Sequence, residues 1–287
     1  MPESSPVLIG VIFVLYHDYD SFETLLQSQE DLPPNMHIVV VDNSEPEFVH
    51  PQRLENLKKD MHIEVISAPD NPGYFGAANR AMGLSSRLRA SKWVCVSNVD
   101  LAIDLASVYE VLQDFDVPTD LAIGALAPMV RDCSGAPMKQ PHELRRPSEQ
   151  NYRRLAAIYR WYWLAVAHRL LSDFSHAISS RQSSSGLEPG QPLFAPHGAF
   201  MILSQRYLET TAAFGYSSFL FCEEIHVGLE CLDAGLFCFY EPRISYRHSR
   251  HGSIGRIPSR RTITNLADAH RAMAARLGDA ETHHGKL

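Results

Sequence analysis

The sequence lacks features that mark several other classes of protein. Its five cysteines form no CxxC pair, which argues against a disulfide framework and indicates buried thiols in a reducing cytosol. No apolar run is long enough to cross a bilayer, and the N-terminal MPESSP carries no basic region followed by an apolar core. The formal net charge of -7 argues against broad electrostatic contact with nucleic acid. We therefore expect a cytoplasmic protein without a nucleic-acid partner.

Signature motifs of three enzyme classes are also missing. The chain contains neither GxGxxG nor GxxxxGK[ST], which argues against a dinucleotide-dependent dehydrogenase and against a P-loop nucleotidase. It contains no GxSxG, the nucleophile elbow of α/β-hydrolases. The function must therefore be sought in other patterns.

Apolar, branched segments alternate with helical patterns along the chain. Strands are predicted at residues 7–15, 37–42, 62–67, 92–97, 121–130, 195–203 and 236–248. Helices are predicted at residues 20–29, 51–60, from the NPG turn to about 86, 151–178, within 219–235, and 265–278. The first strand, VLIGVIFVL, is continuously apolar, as expected when both faces are buried. This alternation predicts an α/β fold with a mostly parallel central sheet flanked by helices.

Polar residues follow three of these predicted strands, at the edge where open α/β sheets bind ligands. They are Asp42 and Asn43, then Asn71, with Gly73 two residues later, then Asn98 and Asp100. A carboxylate there suits Mg²⁺ or Mn²⁺, which bridge phosphates. Two ordinary explanations stay open: Asp42-Asn43-Ser44 also suits a capped turn, and Asp100 also suits a cap on the next helix.

The segment PDNPGYFGAANRA, residues 69–81, joins a turn to a helix start that has little side-chain bulk. Asn-Pro-Gly is turn chemistry, because proline presets one dihedral angle and glycine accepts a positive one. We expect another group to approach the backbone closely at this helix terminus.

Glu223 and Glu224 open a predicted helix directly after the apolar FLFC. Acids in a first turn favour the helix macrodipole, which explains them without a catalytic role. The alternative is a general base pointing into the crevice, since a helix N-terminus would keep the carboxylate ionised. His226 would add a third polar group there.

Two other segments concentrate basic residues in this acidic protein. YRHSRHGS, residues 246–253, suits a surface loop, or a site where His248 binds a metal or phosphate beside Arg247 or Arg250. Residues 152–171 mix four arginines with Trp, Tyr and Leu, which suits either a core helix or a helix lying on an anionic membrane surface.

Six segments in this order resemble family 2 glycosyltransferases: VDNS (41–44), NPGYFGAANRA (71–81), SNVD (97–100), HGAFMIL (197–203), FLFCEEIHVGLECLDAG (219–235) and YRH (246–248). Within that family the sequence looks most like the rhamnosyltransferase-like branch of bacterial surface-polysaccharide synthesis. The resemblance implies a GT-A fold with a single domain at 1–258. Residues 7–100 would bind the nucleotide sugar, residues 101–258 would bind the acceptor and carry catalysis, and a C-terminal helix and tail would follow at 259–287.

The resemblance also implies roles for particular residues. The donor would be held by Asp42, Asn43, Asn71, Gly73, Asn79, Asn98 and Arg247. Asp100 and His248 would hold Mg²⁺ or Mn²⁺, and Glu224, with Glu223 beside it, would act as catalytic base. The sequence departs from the family at three positions. Its triplet at residues 98–100 is Asn-Val-Asp, where Asn-Pro-Asp is common. Glu224 stands where an Asp is usual, and His226 stands where the family commonly has an acid.

The implied function is inverting transfer of a hexose, such as rhamnose, from a nucleotide diphosphate sugar. The acceptor would be a glycan or a lipid-linked glycan at the cytoplasmic face of the inner membrane, in lipopolysaccharide-type synthesis, with peripheral membrane contact through residues 152–171. The departures also allow a catalytically impaired module that binds nucleotide sugars. A sugar-nucleotide pyrophosphorylase is a third alternative, but FVLYHDYD (13–20) lacks the glycine-rich basic loop expected of one.

Overall fold

The computed structural model describes residues 8–29, 31–61, 63–115, 122–138, 141–179, 186–248 and 258–284. Its strands are β1 Ile9–Leu15, β2 Met36–Asp42, β3 Glu64–Ser67, β4 Trp93–Asn98, β5 Leu101–Ile103, β6 Ile123–Arg131, β7 Pro192–Leu193, β8 Phe200–Ser204 and β9 Phe237–His248. Its helices are α1 Tyr19–Gln27, α2 Pro51–Met61, α3 Tyr74–Leu84, α4 Ser86–Arg89, α5 Leu105–Gln113, α6 Glu149–Tyr159, α7 Tyr162–Ser179, α8 Gln205–Thr210, α9 Glu223–Asp233 and α10 Arg260–His284.

The strands form one sheet in the order β3-β2-β1-β4-β8-β6-β9-β5, with β7 paired to β9. Strands β1 to β4 pair in parallel, as do β6 and β9, whereas β8, β5 and β7 join their neighbours in antiparallel. The α/β class and the mostly parallel sheet predicted from the sequence are therefore confirmed. All seven residues of β2 are buried, as a strand covered on both faces requires.

Two apolar layers cover the faces of the sheet. Helices α1, α2 and α5 pack on one face, and α3, α4, α8 and α9 pack on the other. Helix α10 packs along α6 and contacts α7, away from the sheet. Within the described residues no helix is long and apolar enough to cross a membrane.

Three local predictions need correction. The single helix expected at 151–178 is two helices, because the chain turns at Arg160 and Trp161 between α6 and α7. The strand expected at 195–203 starts at Phe200. Strand β5 was not predicted. It separates Asp100 from helix α5, whose N-terminal cap is Asp104, so the explanation of Asp100 as a helix cap is wrong.

The predicted segment 246–253 is described only as far as His248, so Arg250 lies outside the described residues. The predicted helix end at Gly235 is confirmed. Gly235 has φ +64° and its N–H donates to the Leu232 carbonyl at 3.2 Å.

The close approach expected at the start of α3 is made by the protein itself. Gly73 precedes the helix with φ +84°, and a Cβ placed there would lie 1.9 Å from the carbonyl oxygen of Phe219. Phe219 belongs to the segment that leads into α9. The missing side chain of Gly73 thus lets the first half of the chain contact the second.

We expect Gly73→Ala to destabilise the fold, because alanine is strained at this φ and its methyl group would displace the Phe219 backbone. Backbone strain alone should cost about 1–3 kcal/mol of unfolding free energy, measurable by urea denaturation. Gly83→Ala in the same helix is the control. No atom lies within 4 Å of its Cβ position, so that change should be neutral or stabilising. Equal stability of Gly73→Ala and the wild type would contradict the contact.

Candidate active site

The end of β2 is fixed by hydrogen bonds from three directions. Asp42 is 1% exposed, and its carboxylate accepts from the Tyr19 hydroxyl at 2.5 Å and from the Ser44 N–H at 3.0 Å. The Asn43 side-chain amide donates to the Gly73 carbonyl at 3.1 Å. These bonds account for Asp42 and Asn43 as a capped turn, and their contact with a nucleoside stays a prediction.

The two predicted asparagine contacts lie before and within α3: Asn71 precedes the helix, and Asn79 lies in its second turn. Asn71 has φ +42°, and its side-chain oxygen accepts from the Gly73 N–H at 3.4 Å. Asn79 is exposed, one turn further on. Its neighbour Arg80 makes a two-bond ion pair with Asp70, with both N–O distances 2.6 Å. Asn71 is thus part of the turn, whereas Asn79 is open to solvent.

Strand pairing brings the two predicted metal ligands together. In the antiparallel β5–β9 pair, Leu101 lies opposite His248, so Asp100 and His248 are neighbours across the sheet. Carboxylate and imidazole both bind Mn²⁺, and carboxylate binds Mg²⁺, so the residues present fit such an ion, with its other positions left to a diphosphate. Within the described ranges, no group of three or more acidic, His or Cys side chains suits a metal.

The two other predicted donor contacts are placed less favourably. Asn98 is half-buried at the end of β4, and its backbone N–H donates to the Ala199 carbonyl at 3.0 Å. Arg247 is exposed and lies opposite Ala102. Since consecutive strand residues point to opposite faces, Arg247 is directed away from His248.

His197 joins this site and was given no role from the sequence. Its Nδ1 shares a hydrogen bond with the Tyr246 hydroxyl at 2.7 Å, and its ring meets the His248 ring edge-on at 5.4 Å. Its backbone N–H donates to Nδ1 of His142 at 3.0 Å. Burial lowers the pKa of His142 to about 4, so this acceptor nitrogen is unprotonated at neutral pH. The sequence could not predict these contacts, because a single histidine before a strand has no pattern that indicates its partners.

Two strained residues direct the start of α9 inward. Phe221 and Cys222 have φ +75° and +65°, the left-handed region that non-glycine residues rarely adopt. Glu223 follows and is 6% exposed. A Cβ at Gly198 would lie 2.9 Å from Oε2 of Glu224, so the Glu224 carboxylate lies over the backbone next to His197.

Both carboxyl groups have raised pKa values. Burial, and then the charge of Glu224, raises the pKa of Glu223 to about 8. Burial, with a smaller contribution from the charge of Glu143, raises the pKa of Glu224 to about 7. The expectation that the helix N-terminus keeps these groups ionised is wrong, because desolvation outweighs the backbone hydrogen bonds that favour the charged form. Glu224 is therefore poised to exchange a proton near neutral pH.

His226 does not join the carboxylates, contrary to expectation. It is 5% exposed, its Nε2 lies 3.2 Å from the Ala213 carbonyl oxygen, and its ring packs against Phe75 and Tyr216. Helical geometry turns it away from the crevice, so it is a core residue.

The raised pKa of Glu223 predicts how stability depends on pH. Between about pH 4.5 and pH 8 the folded protein keeps a proton that the unfolded chain has released, so stability falls as pH rises, with a slope of up to about 1.4 kcal/mol per pH unit. Glu223→Gln should remove this contribution and leave the smaller fall in stability that comes from Glu224. The measurement is the urea midpoint of both proteins across that pH range, with the exposed Glu209→Gln as control, which should follow the wild type. Parallel curves for Glu223→Gln and the wild type would contradict the burial of this carboxyl.

Comparisons with known proteins concern the fold. No protein-family model matches the sequence, and no curated protein matches it. Solved structures do match. GalNAc-T7 with UDP, GalNAc and Mn²⁺ has a TM-score of 0.59 at 12% identity, over 94% of this chain and 48% of its own. The mannosyltransferase PcManGT from Pyrobaculum calidifontis with GDP-Man and Mn²⁺ has a TM-score of 0.54 at 13% identity, over 99% of this chain and 79% of its own.

TarS 1–349 from S. aureus with UDP-GlcNAc is similar as well, with a TM-score of 0.52 at 13% identity over 92% of this chain and 66% of its own. In the comparison with GalNAc-T7, the chain spans about half the length of the matched protein. All three neighbours are glycosyltransferases, and what they share with this chain is the GT-A fold.

Proposed function

We propose that the protein is an inverting glycosyltransferase that uses a nucleotide diphosphate sugar. The observation that supports this most directly is the convergence of Asp100, His248 and Glu224 at one edge of a GT-A sheet. His197 connects them, since its ring contacts His248 and the next residue, Gly198, lies under the Glu224 carboxylate. Structural neighbours bound to UDP, GDP-Man and Mn²⁺ support the same class of donor.

In the proposed reaction, the acceptor hydroxyl attacks the anomeric carbon while Glu224 takes its proton. The bond from the anomeric carbon to the diphosphate oxygen breaks, and the leaving nucleoside diphosphate keeps the electron pair. A divalent ion held by Asp100 and His248 would offset the charge on that diphosphate. Residues 7–100 hold the donor, and residues 101–258 hold the acceptor and the base.

The transferred sugar is proposed to be a hexose such as rhamnose, and the acceptor a growing surface polysaccharide. This assignment rests on the segment resemblance to the rhamnosyltransferase-like branch. A nucleotide-sugar-binding module without catalysis is the second candidate. This second candidate is favoured by the small number of acidic side chains near Asp100. It is also favoured by Asn-Val-Asp and Glu223-Glu224, which differ from the motifs common in the family that the sequence resembles.

We expect Glu224→Gln to lower the transfer rate at least about a hundredfold, because a positioned base contributes that much or more. A panel of nucleotide sugars with Mn²⁺, screened by thermal shift and then by transfer assay, identifies the donor. Donor-induced stabilisation should persist in Glu224→Gln, and the wild-type rate should rise with pH around pH 7. Glu209→Gln is the matched control and should keep full activity.

Full transfer by Glu224→Gln with unchanged donor binding would refute the role of this base. Metal-dependent stabilisation of the wild type without turnover on any acceptor would favour the inactive module.

We also propose that the acceptor is lipid-linked and that residues 152–171 contact the inner membrane surface. Ala165 packs inward against Ile263 and Ala267 of α10. The opposite side of α7 exposes Trp163, Leu170 and Leu171, at 75%, 54% and 69%. Such a contiguous apolar face on a helix supports a peripheral membrane contact.

The charge of this stretch suits an anionic surface. Residues 152–171 contain four arginines and no Asp or Glu, within a chain of net charge -7. Arg160 lies over the Trp161 ring, Arg260 lies over the Tyr162 ring, and both arginines line a groove of about 420 Å³ beside Trp163.

We expect the protein to sediment with vesicles of mixed phosphatidylcholine and phosphatidylglycerol. Trp163→Ala with Leu171→Ala should weaken this binding roughly a hundredfold or more, since each buried side chain contributes about 1.5–3 kcal/mol. Phe237→Ala is the control, because Phe237 is 54% exposed in β9, and it should bind as the wild type does. Equal sedimentation of the double variant and the wild type would count against this surface.

A further inference from the structure

Tyr74, the first residue of α3, has a buried hydroxyl group without a hydrogen-bond partner among the described residues. The residue is 7% exposed, and its ring packs beside Phe75 at 6.0 Å. Burying an unsatisfied hydroxyl costs stability, so such a group calls for an explanation. The ring alone would fill the same space as phenylalanine.

The hydroxyl lies among the charges of the candidate active site. Burial first, and then the charges of Glu223, Tyr246, Asp100 and Glu224, raise the pKa of Tyr74 well above its ordinary value. The phenol therefore keeps its proton and offers it as a hydrogen-bond donor.

A second unsatisfied group belongs to the same cluster. Oε1 of Glu223 is buried and has no hydrogen-bond partner in the part of the chain that the structure describes. Tyr74 reaches the cluster from the donor half of the fold and Glu223 reaches it from the catalytic half. Together they offer a donor and an acceptor to one bound molecule.

The position of Tyr74 and Glu223 in the site indicates which part of the substrate they would contact. Asp100 marks the diphosphate end of the proposed site, and Glu224 marks the end where the acceptor loses its proton. The group that lies between these ends in the reaction is the transferred sugar. Its hydroxyl groups both accept and donate hydrogen bonds, as the pair requires.

We propose that the Tyr74 hydroxyl and the Glu223 carboxyl form a subsite for hydroxyl groups of the transferred sugar, so that Tyr74 determines sugar specificity. This inference rests on the proposed function. The inference assigns Tyr74 to the sugar and not to the nucleoside or the metal. Loss of the Tyr74 hydroxyl should therefore weaken binding of a nucleotide sugar but not of the nucleoside diphosphate alone.

The test is Tyr74→Phe, which keeps the ring and removes the hydroxyl. Affinities are measured by calorimetry for UDP-GlcNAc, GDP-mannose and dTDP-rhamnose, each against its own nucleoside diphosphate. We expect roughly 3- to 10-fold weaker binding of the nucleotide sugar, the effect of one hydrogen bond. Affinity for the nucleoside diphosphate alone should not change.

Thermal unfolding without ligand separates this role from a structural one. Tyr74→Phe should melt at the wild-type temperature or above it, because an unsatisfied hydroxyl is removed. Tyr207→Phe is the matched control, since its buried hydroxyl donates to the Ala213 carbonyl at 3.1 Å. That variant should melt lower and bind nucleotide sugar normally.

Unchanged nucleotide-sugar affinity in Tyr74→Phe would overturn the subsite and leave the proposed function standing. An equal loss of affinity for sugar nucleotide and nucleoside diphosphate would also overturn it. A wild-type protein that binds none of the nucleotide sugars would overturn the proposed function, and the subsite with it.

Discussion

The burial of two adjacent carboxyl groups at the start of α9 is the constraint around which the site is organised. Glu223 is nearly inaccessible, and desolvation raises the pKa values of both Glu223 and Glu224. This arrangement is costly, so other parts of the fold must hold it. The fully buried Ile225 and Leu229 anchor the helix in the core, and the left-handed backbone before Glu223 turns the chain into the crevice.

The same segment joins the two halves of the fold. Phe219, four residues before Glu223, fills the space that Gly73 leaves at the start of α3. Asn43 donates to the carbonyl of the same glycine and so connects it to the end of β2. This backbone contact, which leaves no space for a side chain at residue 73, therefore connects the proposed donor-binding residues at the start of α3 to the proposed catalytic carboxyl groups of α9.

Most of the sheet could be predicted from the sequence, because its strands are short apolar runs and carry their own signal. Asp100 and His248 were placed together by resemblance, and the β5–β9 register gives the physical reason. The rest depends on tertiary contacts. The turn at Arg160 between α6 and α7 follows packing on α10. The roles of Tyr74 and His197 depend on side chains that are distant in sequence. The expectation that the general base at the start of α9 is held ionised is wrong, since the sequence shows the helix terminus but not the depth of burial.

The departure from aspartate at position 224 can be weighed against this geometry. An extra methylene group extends the carboxylate, and a longer side chain needs space opposite it. Gly198 supplies that space, because any Cβ there would lie 2.9 Å from Oε2 of Glu224. A glutamate accommodated in this way, at a pKa of about 7, retains what a base requires: access to the crevice and a proton affinity matched to neutral pH. The raised pKa of Glu224 therefore supports the proposed transferase over a module that only binds nucleotide sugars, since binding alone does not require a carboxyl group that exchanges a proton near neutral pH.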